Sequence, residues 1–343
     1  MRSRLVWFFM LLSTLSIIVG ALAFSFWQWL TSPLPVSETH QVYIVEPGTG
    51  LHAVGRDMQQ IGLVKWPKLW VLYARVEHLD AIKAGEFQFS SQESPLSLLQ
   101  KLQRGEVVEH RLTLVEGRSF KQMLLVLNDA PKLSHKLESG DALAVLQASG
   151  VDLVHPEGWF FPDTYQYLRN DSDISILLRA HKKMKSVLNE EWDLRDSDLP
   201  YESVYEALIM ASIVEKETGV ASERKTIAGV FVRRLRKGMR LQTDPTVIYG
   251  MGDKYQGNIT RKDLKKLTAY NTYMIKGLPP TPIAMPGREA IHAALHPEPG
   301  ESLYFVAKGD GSHYFSATLD EHINAVRKYQ KKRRADYRSS PQK

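Results

Sequence analysis

The feature that most constrains this chain lies at its start. From Leu5 to Leu30 no charged residue occurs over 26 positions. At about 1.5 Å per residue such a helix reaches about 39 Å, more than the roughly 30 Å of a hydrocarbon core, so a tilted membrane span is expected. Arg2 and Arg4 precede the run, whereas Thr31 to Gly50 carries Glu38 and Glu46 but no Lys or Arg. The positive-inside rule then puts the N-terminus in the cytoplasm and the rest of the chain outside it. Trp27 and Trp29 suit an interfacial belt, or packing against neighbouring protein. A cleaved signal peptide is the competing reading, with Ala21-Leu22-Ala23 as a small-x-small site. Against it, the preceding apolar run is long and hydrophobicity continues through Phe24, Phe26 and Trp27.

The chain has no cysteine. Disulfides, zinc–thiolate sites, thiol nucleophiles and lipid on cysteine are therefore excluded, and the apolar helix is the one visible anchor. The net charge of +6 dissolves once it is located: residues Arg327 to Lys343 alone carry +7, leaving about −1 for everything before them. That pattern describes a solvated basic tail and implies no nucleic-acid surface.

Residues 31–40, with two prolines and no apolar periodicity, form a short extended linker after the membrane segment (1–30). Fully stretched, it reaches only about 30–35 Å. Val42 to Val45 is strand-like, and a helical pattern then runs through Val54, Met58 and Ile61. Pro67 to Val76 is a second helix, Ala84 to Ser90 alternates as a strand, and Ser94 to Leu102 is helical with proline in its first turn. Residues 41–106 thus make a small α+β module. The character changes near Gly105, and residues 107–330 make a larger mixed α/β domain, ending in the basic tail at 331–343. The fold class expected is α+β.

The segment Tyr205 to Gly219 (YEALIMASIVEKETG) is apolar almost all round from Leu208 to Val214, as in a helix buried among other elements, with Gly219 as its stop. Glu215 and Glu217 close it. Two residues apart on a helix, they project about 200° from one another, so one can point inward while the other meets solvent. Glu217 follows Ile213, Val214 and Met210 and has the more apolar company. A carboxyl beside apolar groups at a helix C-terminus should have its pKa raised, the state a general acid requires. Taken alone, the segment fits a solvated E-K-E run at a helix end at least as well, since surface glutamate is the common case.

Downstream, Leu241 to Gly250 (LQTDPTVIYG) reads as a polar loop feeding a strand, its proline disfavouring helical geometry at Asp244. Ala269 to Tyr273, Gly277 to Pro280 and Glu157 to Tyr165 mix flat aromatics with amides and carboxylates, a composition suited to sugar faces and hydroxyls, or to Pro-stiffened surface loops. His292 and His296 are spaced i,i+4, but His-Ala-Ala-Leu-His lacks the glutamate of a zinc-protease helix. Nucleophile elbow, P-loop and dinucleotide fingerprint are all missing, and no cofactor or metal is expected.

Several of these segments together resemble the endolytic murein transglycosylase family: Leu114 to Gly117, Glu157 to Thr164, Ala211 to Thr218, Leu241 to Gly250, Thr268 to Tyr273 and Gly277 to Pro280. The resemblance covers nearly the whole chain, to about Tyr329. It implies a single-pass protein of the inner membrane whose periplasmic part comprises a LysM-like module (41–106) and a catalytic domain. That domain would cut peptidoglycan glycan strands internally, nascent strands included, and would use no cofactor. Glu217, the second glutamate of E-K-E, takes the catalytic position. Gln242, Asp244, Tyr249, Asn271 and Tyr273 are the residues expected to hold sugar. Peptidoglycan synthases are candidate partners. A muramidase-type hydrolase and a non-catalytic wall-binding tether are the alternatives.

Overall fold

The computed structural model describes residues 2–36, 41–137 and 142–331. Residues 37–40 of the expected linker and the basic tail from residue 332 lie outside the described residues. The chain divides into two compact units. One comprises Met1–His110 with Leu168–Asn170, and the other comprises Arg111–Tyr167 and Asp171–Lys343.

The smaller unit begins with helix α1 (Arg2–Thr31), whose segment Leu5–Thr31 is long and apolar enough to cross a membrane by length and composition. A signal sequence near an N-terminus meets the same test. The side chains from Leu5 to Leu22 make almost no protein contact, but the last turns of α1 do. Leu30 is buried, and Phe26 and Trp29 pack on the same core. The chain after α1 is pinned as well: Leu34 is buried and its N–H donates to Glu93 O at 2.7 Å. Residues 31–36 are therefore not a free tether.

Strands β1 (Gln41–Val45) and β2 (Gly85–Phe89) pair antiparallel, with Tyr43 opposite Phe87. Between them lie α2 (Leu51–Gln60) and α3 (Pro67–Val76), and α4 (Pro95–Arg104) comes after β2. The apolar positions spaced three and four apart in these helices point to one core, where Val54, Met58, Trp70, Leu98, Leu99 and Leu102 meet Phe87 and Phe89. Trp70 is completely buried, and its indole N–H is satisfied by Pro95 O at 2.8 Å. A Ser94–Ser97 capping box fixes the start of α4, and Gly105 in the left-handed conformation ends it.

The larger unit is mostly helical. A short pair, β3 (His110–Thr113) and β4 (Thr164–Tyr167), flanks α5 (Phe120–Asn128) and α6 (Ala142–Ala148). The long α7 (Asp173–Asp193) leads to α8 (Val204–Glu217), α9 (Arg224–Arg236), α10 (Asp244–Met251), α11 (Arg261–Lys265) and α12 (Arg288–Leu295). A hairpin of β5 (Tyr304–Ala307) and β6 (His313–Ser316) and helix α13 (Leu319–Val326) close the described chain.

Helix α8 runs through the middle of this core. Every residue from Ala207 to Val214 is buried, because α7, α9, α10 and α12 all pack on it. That is why its sequence is apolar on all sides. Ser203 caps its start by accepting the Glu206 N–H at 3.3 Å. Its end differs from expectation: Thr218 turns extended at φ −141°, and Gly219 has no left-handed backbone. The helix stops because the chain straightens at Thr218, so the glycine is not its cap.

Candidate active site

Glu217 is the last residue of α8 and is half-buried. Burial pushes its carboxyl up to about 8, and the negative charge of Asp244 adds to the rise. The Thr243 hydroxyl, close by but outside strict hydrogen-bond geometry, and the guanidinium of Arg234 act in the opposite direction. At neutral pH the carboxyl therefore holds its proton. Glu215 does not stand in solvent, as its place on the other side of the helix would have allowed. It is half-buried too, and one of its oxygens accepts the Gly287 N–H at 3.0 Å. Burial raises its pKa, that hydrogen bond opposes the rise, and nearby Glu116 adds to it.

Asp244 and its neighbours reach the site in a way that the local pattern does not indicate. The expected loop into a strand is instead the start of α10, with Thr243 as N-cap, Asp244 as first helical residue and Pro245 second. Proline is tolerated there because an N–H in the first turn has no intrahelical partner to lose, and a carboxylate is favoured by the helix dipole. Asp244 is exposed, and its Oδ1 accepts the Tyr273 hydroxyl at 2.6 Å. That bond, with burial the larger cause, raises the phenol's pKa.

The turn before α10 is held by a polar knot. Gln242 adopts φ 52°, a left-handed backbone that costs a residue with a Cβ about 1–2 kcal/mol. Its N–H donates to Thr272 O at 3.1 Å, and its Oε1 accepts from Arg234 Nη1 at 3.3 Å. Arg234, buried on α9, also donates to Leu303 O at 2.6 Å and Leu241 O at 2.8 Å. Thr243 N–H donates to the Thr272 hydroxyl at 3.1 Å, and the Thr246 and Thr272 hydroxyls lie 2.9 Å apart. One buried arginine and three threonines thus clamp an unfavourable backbone in front of Glu217, and such strain persists only where its surroundings over-determine it.

Of the expected site residues, Glu217, Gln242, Asp244 and Tyr273 gather around this turn. Asn271 belongs to the same loop but is only 1 % exposed. Its amide donates to the carbonyls of Asp263, Leu264 and Lys266, at 2.6 Å for the last, and its Oδ1 accepts the Tyr273 N–H at 3.0 Å. These bonds tie Asn271 into the loop that carries Tyr273. Tyr249 stands against a different carboxyl: its hydroxyl donates to Glu157 Oε2 at 3.0 Å, and its ring meets Tyr270 edge-on at 5.0 Å. Glu157 is buried, accepts the Phe120 N–H at 2.9 Å, and is pushed up to about 7 by burial despite these bonds.

Arg234 is not singled out in the sequence, and Thr243 and Thr272 enter only as members of the segments that carry the family resemblance. Arg234 sits in a run of basic residues that reads as a solvated face, and the threonines are unremarkable until the loops meet. His292 and His296 do gain a carboxylate that the i,i+4 motif lacked: a ligand atom from each lies within 4.8 Å of one on Glu191 of α7. Both Glu191 oxygens are already taken, however, by Arg288 Nη1 and His292 Nδ1, each at 2.8 Å. A guanidinium in contact disfavours a cation, and the cluster is a polar tie between α7 and α12.

Comparisons with known proteins add to this geometry. The model of the YceG-like family matches residues 43–328. The endolytic murein transglycosylase of Bacillus subtilis (strain 168) is 31% identical over 333 residues, which cover 91% of this chain and 91% of that protein. The endolytic murein transglycosylase of Streptococcus pneumoniae R6 is 27% identical over 335 residues, 87% of this chain, but the chain spans only 60% of that relative's length. The crystal structure of a yceG-like protein from Listeria monocytogenes superimposes with a TM-score of 0.52 at 29% identity. It covers 84% of this chain and 99% of its own.

Proposed function

The chain belongs to the YceG-like family, and from that premise we propose that it is a lytic transglycosylase that cleaves murein glycan strands internally. Glu217 is the acid and base of the reaction. The single observation that carries this role is a carboxyl held protonated near neutral pH at the end of a buried helix, beside a strained turn that a buried arginine holds in place.

In the proposed mechanism, Glu217 donates its proton to the oxygen joining N-acetylmuramic acid C1 to N-acetylglucosamine. The C1–O bond breaks as C1 gains oxocarbenium character. The Glu217 carboxylate then takes the proton of the muramoyl C6 hydroxyl, and O6 bonds to C1 to close a 1,6-anhydro ring. Glu217 ends protonated, as it began, and no water is consumed. Asp244, beside the site, stabilises positive charge at C1. Gln242 and Tyr273 position the sugar, Tyr249 offers a ring face, and Asn271 holds the loop from behind.

Mass spectrometry of digested glycan tests the reaction class. Anhydromuramic ends are expected, whereas reducing muramic ends would make the protein a hydrolase with Asp244 activating water. A wall-binding tether would keep its cellular effect in the Glu217→Gln variant.

In this reading α1 is a single-pass anchor with its N-terminus in the cytoplasm, the smaller unit is a LysM-like glycan-binding module in the periplasm, and peptidoglycan synthases are the partners that supply nascent strands. The lack of charge from Leu5 to Leu30 and the placement of Arg2 and Arg4 just before that run support that orientation. Because the chain enters the smaller unit's core at Leu30 and Leu34, that unit stays at the membrane surface.

A further inference from the structure

Helix α3 carries an apolar ridge that the core does not use. Leu69, Leu72 and Val76, spaced three and four residues apart, are 47%, 58% and 65% exposed. The buried residues of the same helix, Trp70, Val71 and Ala74, occupy the opposite side. A ten-residue helix with three large aliphatic side chains in water is costly, at about 25 cal/mol per Å² of apolar surface, so the ridge calls for a cover.

The order of contacts along α1 identifies that cover. Leu30 and, beyond the helix, Leu34 enter the core. Trp29, next to Leu30, meets Trp66 at 5.3 Å between ring centroids, and one turn nearer the membrane Phe26 meets Trp66 at 6.4 Å and Tyr73 at 6.2 Å. Trp66, the N-cap of α3, and Tyr73, within it, lie on the side next to the Leu69–Leu72–Val76 ridge. Below Phe26, α1 is bare, with Phe24 63% and Leu22 66% exposed. Helix α3 is therefore met on α1 where the bare, lipid-facing part gives way to the packed part. Its remaining exposed positions include Lys68 and Arg75, with Lys65 just before it and lying over the Trp66 ring at 4.9 Å.

We infer that α3 is an interfacial helix: its Leu69–Leu72–Val76 ridge lies in the acyl–headgroup boundary of the leaflet that α1 leaves, and Lys65, Lys68 and Arg75 reach lipid phosphates. The ridge supplies the apolar face and the cations the snorkelling rim of such a helix. The inference rests on the reading of α1 as a membrane span. It deepens that reading: the smaller unit is fixed to the bilayer at two places, which restricts its swivel about α1.

The absence of cysteine permits a direct test on the full chain. Leu72→Cys and, separately, Val19→Cys are spin-labelled after reconstitution in phosphatidylethanolamine–phosphatidylglycerol nanodiscs, and the accessibility of each nitroxide to oxygen and to a water-soluble nickel chelate is read. Both positions are exposed, so neither change disturbs packing. The expected result is a Leu72 label several-fold less accessible to the chelate than a free aqueous nitroxide and enriched in oxygen contact, at a shallower depth than the Val19 label. A Leu72 label as open to the chelate as the free nitroxide, with Val19 shielded, overturns the interfacial role and leaves the anchor standing. A Val19 label open to the chelate overturns the anchor, and the inference with it.

Discussion

Tyr273 donates its hydroxyl to Asp244 at 2.6 Å, and Asp244 in turn raises the pKa of Glu217. The phenol thus fixes the position of the charge that helps keep the Glu217 carboxyl protonated. A loop and a helix start 29 residues apart in the chain meet at this bond, and the first turn of α10 sets the direction of Asp244.

Removing the acid is the first test of the site. Glu217→Gln keeps the shape of the side chain and deletes its proton exchange, so turnover of purified glycan should fall by roughly 100- to 10,000-fold. The same change replaces a desolvated ionisable group by a neutral amide, so the melting temperature should stay level or rise. Loss of activity together with loss of stability would show that Glu217 serves the fold.

Asn271 separates loop shaping from sugar contact. Asn271→Asp removes the donor from the carbonyls of Asp263, Leu264 and Lys266 and sets a carboxylate against them. Stability in urea should drop by about 2–4 kcal/mol. An unchanged midpoint with a raised KM would instead assign Asn271 to direct sugar contact.

The parts of this molecule that are legible in the sequence are those where local pattern and tertiary packing agree. Helix α3 runs from Pro67 to Val76 as its apolar spacing and N-terminal proline indicate, and the all-round apolar run of α8 marks the helix enclosed by four others. Asp244 is misread as a loop residue when proline's bias on the preceding residue is weighed without the helix N-terminus, where Asp-Pro is favoured. Arg234 is invisible because its shortest bonds go to the backbone carbonyls of Leu241 and Leu303, and no side-chain pattern records which carbonyls a fold leaves unpaired. The carboxylate beside His292 is hidden for a similar reason: Glu191 arrives from another helix.

Gly229, inside α9, sets helix propensity against space. Alanine there should gain up to about 1 kcal/mol from propensity, but its Cβ would stand 2.4 Å from Glu298 O. That carbonyl cannot retreat easily, since it accepts from Arg233 at 2.9 Å and its residue's N–H donates to Lys225 O at 2.9 Å. Overlap should win, and Gly229→Ala should destabilise by about 1–3 kcal/mol. Gly287→Ala makes the control. Its Cβ would meet Glu116 Oε2 at 2.5 Å, but that is the tip of an exposed side chain held by a long 4.0 Å ion pair to Arg224, which can swing aside more easily than a backbone carbonyl, so denaturant midpoints should differ between the two variants.

The pH dependence is set by the sign of the Glu217 shift. Its folded pKa, about 8, lies above the ordinary carboxyl value of 4.5, so the folded chain binds a proton that the unfolded chain has released. The resulting stability is fully present below about pH 4.5 and is lost as pH rises through about 8. Glu157, raised to about 7, contributes in the same direction over a slightly lower range. Activity should share the upper limit, falling as Glu217 loses its proton above about pH 8. Asp244→Asn removes the charge that adds to the shift, so the alkaline limb of kcat should move to lower pH, whereas Tyr273→Phe leaves the charge in place and should move it far less. Glu217→Gln should flatten the decline of stability toward pH 8 without abolishing it, because Glu157 remains. An alkaline limb unmoved by Asp244→Asn would mean that the carboxylate does not act on Glu217, and that burial alone holds the proton.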